Sequence, residues 1–206
     1  ELQDQGAHNI NLVTATQYLP SILNALDLVK NQLEIPVVYN SSGYEKPETI
    51  RLLKGYVDIY LPDLKYFSSE LSRKYSKAED YFEVASCAIK LMIEQTGTPV
   101  FDSDGMLQKG VIVRHLVLPN CRKDSISLLH WLKETLPDKH YLISLLSQYT
   151  PFYNSHKYPE LNRRITTYEY ETILKEAISL GLVEGFMQEK SSAKEEYTTP
   201  FELQGI

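Results

Sequence analysis

Cysteine is nearly missing from this chain: Cys87 and Cys121 are the only two in 206 residues. Two thiols cannot build a disulfide framework or a four-thiolate metal site, and a reducing, cytoplasmic setting is the simplest reading. No apolar run approaches membrane-spanning length, and no basic-then-apolar N-terminal signal is present. The five histidines show no HExxH or comparable ligand spacing. There is no G-x-S-x-G elbow. No glycine-rich loop follows the first strand-like run, which removes the main sequence support for a dinucleotide-binding sheet. Gly105 and Gly110 keep the glycine interval of a phosphate loop, but Val111 and Ile112 stand where Lys and Ser or Thr are required. An excess of cations is absent too. The 21 Lys and Arg face 27 Asp and Glu, a formal net charge of -6, which argues against a nucleic-acid surface.

What is present is an alternation. Asn9–Thr14 reads as a strand, followed by Leu19, Ile22, Leu23, Leu26 and Val29 at helical spacing, with Pro20 suited to the first turn. Ile35–Asn40 is a second strand, and Pro47–Leu53 a short helix with Gly55 just past its end. The stretch "VDIYLPDLKY" from Val57 carries the third strand. A longer helix is predicted over Glu79–Gln95, and Asp102-Ser103-Asp104-Gly105 marks the turn of a small hairpin within 98–109. Val111–Leu118 reads as the fourth strand, Ile126, Leu129, Leu132 and Leu136 as the next helix, and Tyr141–Leu146 as the fifth strand. Thr166 and Glu169 suggest a capping box opening a last helix that Gly181 stops. Glu1–Gly6 reads as the final turn of a helix, so the chain is taken as a fragment.

Near-continuous apolar strands alternating with helices mean a parallel sheet covered by helices. Five strands in about 140 residues suit an open doubly wound sheet or a barrel. Without the glycine loop, part of a barrel is the preferred reading, with function at the C-terminal strand ends. Residues 1–186 form that domain, and 187–206 a polar tail.

At those strand ends the sequence turns polar: Thr14-Ala15-Thr16-Gln17, Asn40-Ser41-Ser42-Gly43, Asp63-Leu64-Lys65, Pro119-Asn120 and Ser147-Gln148-Tyr149. Asp63 and Lys65 are two apart, so an extended chain puts them on one side. Arg114 and His115 interrupt an apolar strand and must face opposite ways. A buried guanidinium needs a partner, either Asp63 or a ligand carboxylate. His115 is read as satisfying a backbone group, Cys87 as packing on a helix face, and Cys121 as incidental. Tyr149, Phe152, Tyr153 and Tyr158 cluster where they could pack a barrel floor or frame a substrate path.

The ordered blocks "GAHNINLVTATQYLPSILNAL", "IPVVYNSSGYE", "VDIYLPDLKY", "VIVRHLVLPN" and "YPELNRRIT" resemble the radical S-adenosylmethionine proteins similar to pyruvate formate-lyase activating enzyme. The resemblance runs from Gly6 to about Leu182. It implies an α/β fold, an incomplete (β/α)6 barrel of parallel strands with its first strand missing. It also implies S-adenosylmethionine as cosubstrate, cleaved to a 5′-deoxyadenosyl radical at a [4Fe-4S] cluster, and a glycyl radical enzyme or other protein as partner. Asn40 matches a position near the ribose. Asp63 and Lys65 match a D-x-K element, and Arg114 a residue near the methionyl carboxylate. Gln148 falls where adenine or substrate contacts occur. Thr14 opens the segment standing where many relatives carry a glycine-glycine-glutamate element for the methionyl amino group.

The departure is the cluster itself. The C-x3-C-x2-C loop that holds it in the family is not in this sequence, so the [4Fe-4S] cluster is expected in the parent protein only and this chain alone is expected to be inactive. Two other classes compete: a barrel lyase using Lys65 as a Schiff-base amine, and a non-catalytic binding domain. Loss of the first strand also predicts self-association along the exposed edge of the opening strand.

Overall fold

A computed structural model of the chain describes residues 3–187. Its described residues contain seven strands: β1 (Ile10–Val13), β2 (Val37–Ser41), β3 (Ile59–Pro62), β4 (Val100–Phe101), β5 (Leu107–Leu116), β6 (Leu142–Leu146) and β7 (Gly185–Met187). The sheet order is β1-β2-β3-β5-β6-β7, every neighbour parallel, with β4 antiparallel to β5 beside that path. Along this parallel path the strands follow one another in chain order, without the order reversal that marks a doubly wound sheet. Six α-helices alternate with them: α1 (Leu19–Val29), α2 (Pro47–Leu52), α3 (Ser69–Ser76), α4 (Tyr81–Thr96), α5 (Arg122–Thr135) and α6 (Thr167–Ser179). The fold is α/β with a mostly parallel sheet.

Period-2 side chains give the sheet two faces. One face carries Tyr39, Tyr60, Val111, Val113, Ile143 and Leu145, all buried against the helices. Tyr39 and Tyr60 are register partners and meet edge to face at 6.2 Å. Burying two phenols requires partners for their hydroxyls. Tyr60 donates to Gln95 Oε1 on α4 at 2.7 Å, and Gln95 Nε2 donates to the carbonyl of Ile50 on α2 at 2.8 Å. That relay ties β3 to α4 and α2 through one amide.

Three local readings are corrected by the fold. Gly6 has the positive φ of a helix-ending glycine, but Gln3–Gly6 form a turn rather than helix. Helix α3 was not anticipated, although Ser68 caps it by accepting from Leu71 N and Glu70 sits in its first turn. Strand β5 starts inside the hairpin at Leu107, so hairpin and fourth strand are one element. The polar tail from residue 187 lies outside the described residues, except Met187, which closes β7. The capping box of α6 is formed in both halves: Thr166 accepts from Glu169 N, and Glu169 accepts from Thr166 N.

Candidate functional site

The second face of the sheet differs from the first at its C-terminal end. Arg114 and His115 do face opposite ways. His115 lies on the helix face, fully buried, with Nδ1 2.7 Å from the carbonyl of Leu64 and Nε2 2.8 Å from Ser125 Oγ on α5. A carbonyl can only accept, so Nδ1 carries the proton and Ser125 donates to Nε2. Burial pushes the imidazole pKa down and keeps it neutral. His115 therefore holds backbone in place, as the sequence suggested.

Arg114, on the other face, reaches the strand ends beside it. Its Nη2 donates to Asn40 Oδ1 at 2.7 Å and is ion-paired with Asp63 Oδ1 at 2.7 Å. Lys65 Nζ lies 3.4 Å from the other carboxylate oxygen, Asp63 Oδ2. One carboxylate thus sits between two cations, leaving the cluster a net charge of +1. Both Arg114 and Asp63 are about three-quarters buried. The Arg114 Nε is buried and has no acceptor among the described residues. A guanidinium donor in that state is costly unless something else accepts from it.

The turn carrying Asp63 and Lys65 is fixed by its neighbours. Asp63 N donates to Ser41 O and Leu64 N to Arg114 O, continuing the parallel pairing one residue past β3. Asp124 in the first turn of α5 accepts from Phe67 N at 3.0 Å and Ser68 N at 2.7 Å. A loop held at this many points is pre-organised, not free to search.

Beside the cluster is a cavity of about 420 Å³. Asp63, Lys65, Arg114, Gln148, Tyr66 and Tyr149 supply its polar wall, and Leu116, Leu118 and Leu146 its apolar one. Four of the six anticipated residues meet there. Asn40 touches it only through Arg114. Thr14 does not line it: its side chain is exposed, its φ is +51°, and its N–H donates to the carbonyl of Asn40. Sequence reasoning missed Tyr66 and also Ser76, which reaches the cavity from α3 and hydrogen-bonds the Tyr66 hydroxyl at 3.0 Å. Tyr149 donates to the Leu161 carbonyl, while Tyr158 packs edge to face on Tyr75. Phe152 and Tyr153 are exposed and are not part of this cavity's wall.

Two other groups bear on chemistry. Thr16, Tyr39 and Glu45 form a buried polar knot behind the β1 and β2 ends, with Thr16 Oγ1 2.9 Å from Glu45 Oε1 and 2.8 Å from the Tyr39 hydroxyl. Burial pushes the Glu45 carboxyl up, and the Tyr39 phenol up to about 12. Cys87 is exposed on α4 rather than packed, and burial pushes the Cys121 thiol up to about 11. Among the described residues no group of three His, Cys, Asp or Glu side chains could hold a metal ion. The donor set of this chain does not fit an iron–sulfur cluster, which needs thiolates that two separated cysteines cannot supply. No helix among the described residues is long and apolar enough to cross a membrane.

A domain of pyruvate-formate lyase-activating enzyme from Bacteroides vulgatus has a similar fold, with a TM-score of 0.61 at 14% identity over 88% of this chain and 98% of that one. The likeness is one of fold. In sequence, the uncharacterized protein MJ0674 of Methanocaldococcus jannaschii is 34% identical over 172 residues, 81% of this chain and 45% of that protein. The chain thus spans less than half the length of the curated relative it matches. No protein-family model matches it.

Proposed function

We propose that this chain is the S-adenosylmethionine-binding portion of a radical S-adenosylmethionine enzyme of the activating type, on an incomplete (β/α)6 barrel. The observation that carries this reading is the cluster at the β2, β3 and β5 ends. A carboxylate is shared by two cations, and a guanidinium keeps a donor unspent beside a cavity walled on one side by leucines. A zwitterionic ligand with a carboxylate, a ribose and a flat base suits that combination. Sequential strand order and the fold likeness to an activating-enzyme domain support it further.

Within this reading Arg114 holds the ligand carboxylate, aided by the positive charge of Lys65. Asp63 orients both cations and remains an acceptor for an ammonium or hydroxyl. Asn40 holds the guanidinium plane in place from the β2 side. Gln148 and Tyr149 border the part of the cavity left for the base, against Leu116 and Leu146. Bound S-adenosylmethionine supplies an adenosyl group activated by its sulfonium, and its reductive cleavage belongs to a cluster that this chain's cysteines do not hold. The chain's own contribution is binding and orientation. A glycyl radical enzyme or another protein is the proposed substrate partner of the parent protein, and self-association along β1 remains a proposal for the isolated chain.

Lys65 is poorly suited to the rival role of Schiff-base amine. Its side chain is 39% exposed and its Nζ is engaged by a carboxylate, whereas an amine nucleophile needs desolvation without an anion beside it. Isothermal titration of the chain with S-adenosylmethionine tests the proposal directly. Saturable binding in the micromolar-to-millimolar range is expected, with S-adenosylhomocysteine also bound because it keeps the carboxylate, amine and nucleoside. A flat titration with both would remove the reading.

A further inference from the structure

The side chains of the cluster are visible from the cavity; the group that sets their position is not. Tyr81, in the first turn of α4, is 3% exposed and is not part of the cavity wall. Its hydroxyl lies 2.9 Å from the carbonyl of Ser42 and 2.9 Å from the carbonyl of Asp63, and it accepts from Lys65 N at 3.1 Å. A phenol has one proton and two lone pairs, so the two carbonyls share its proton while a lone pair takes the Lys65 amide. One oxygen therefore joins the loop after β2 to both residues that carry the D-x-K side chains. Burial pushes the phenol pKa far up, so the proton stays in place at any physiological pH.

An independent feature presses on the same atom. Gly43 follows Ser42 at φ +77°, and a Cβ there would stand 2.1 Å from the Asp63 carbonyl oxygen. The β2 loop can approach β3 this closely only with glycine at that position. The Asp63 carbonyl is thus held by a glycine backbone on one side and a phenol on another. The Tyr81 ring is wedged in turn, stacked on Tyr44 at 6.0 Å and edge-on to the cavity residue Tyr66 at 5.5 Å.

We propose that Tyr81 is the positioning residue of the site: its hydroxyl fixes where Asp63 and Lys65 stand relative to Arg114, without touching the ligand. The inference rests on the reading of this cluster as an S-adenosylmethionine site. Tyr81→Phe removes the hydroxyl and keeps both ring contacts, so the fold is retained. Two measurements decide the matter. In the ligand-free chain, the Lys65 amide should exchange its hydrogen about tenfold faster in Y81F, while β3 amides keep their protection. S-adenosylmethionine affinity should fall about 5- to 10-fold. Unchanged affinity with a lowered melting temperature would make Tyr81 a packing residue only and overturn the proposal. If the unmodified chain takes up no S-adenosylmethionine, the site reading fails instead, and Tyr81 stands or falls on the Lys65 amide: equal exchange in both proteins rejects even its hold on the turn.

Discussion

Two arginine–carboxylate pairs of this molecule have nearly the same closest distance and opposite completeness. Glu169 at the start of α6 is buried, and its two oxygens take five donors: Arg163 Nη2 and Asn120 N on one, Arg163 Nη1, Thr166 N and Thr166 Oγ1 on the other, all between 2.7 and 2.9 Å. The paired Arg163 and the backbone donors hold its carboxyl well below the usual carboxylate range. Nothing is left for a ligand. At the cavity, Asp63 is shared by Arg114 and Lys65, and Arg114 keeps a buried donor without an acceptor. A pair whose lone pairs and protons are all matched is finished structure; one with a buried donor left over calls for an acceptor from outside the pair. The contrast is more informative than either pair alone.

The largest effect should come from the finished pair. Glu169→Ala leaves a partly buried guanidinium and several backbone donors unmatched, and should destabilise the chain by about 3–4 kcal/mol, read from urea or thermal unfolding. S-adenosylmethionine affinity of the folded fraction should not change. The carboxyl pKa is depressed in the folded state, so its contribution is complete above the ordinary glutamate range. It is lost as pH falls toward the depressed value. The stability gap between wild type and E169A should therefore narrow on acidification. A gap that widens would reject the assignment.

Arg114→Ala should do the reverse. Asp63 keeps Lys65 as its partner, so the melting temperature should move little, while affinity should drop on the order of 30- to 100-fold, about 2–3 kcal/mol. Should R114A instead unfold the chain as E169A does and bind ligand normally when folded, both pairs would be structural and the comparison would collapse.

Part of this contrast was legible in the sequence. Thr166 and Glu169 at capping-box spacing announced the α6 start, because the reciprocal bonds depend only on local geometry. Asp63 beside Arg114 could be anticipated from strand alternation and the need to pair a buried guanidinium. The second role of Glu169, as partner of Arg163 and of Asn120 N 49 residues away, could not, since tertiary packing decides it. Helix α3 escaped because its eight residues are mostly polar: its two apolar side chains, Leu71 and Tyr75, are only partly buried against the core, and its fully buried residue is Ser72. With it went Ser76 and the floor it gives Tyr66. Thr14 was read at the end of the first strand from the apolar run before it; its backbone is left-handed there, its side chain is exposed, and it does not line this cavity. The exposed Phe152 and Tyr153 show that aromatic clustering in sequence does not fix which rings face inward.

The smallest effect belongs to a third carboxylate, one with hydrogen-bond partners but no cation among the described residues. Glu45 is buried and accepts from Thr16 Oγ1 and the Tyr39 hydroxyl, while burial raises its pKa. A raised folded pKa means that the group favours the fold when protonated. That contribution is present below the ordinary glutamate range and disappears as pH rises through the folded value. At neutral pH, well above the ordinary glutamate range, burial of Glu45 should therefore work against stability. Glu45→Gln keeps an acceptor oxygen for both hydroxyls and removes the buried charge. Its melting temperature should rise by about 2–4 °C at pH 7, the shift that about 1 kcal/mol makes in a chain of this size. The gain should vanish near pH 4, where the wild-type carboxyl is itself neutral. Differential scanning calorimetry at the two pH values measures both. A loss of stability at pH 7 would mean that the charge of Glu45 is wanted, and that this knot, like the cavity cluster, awaits a cationic partner.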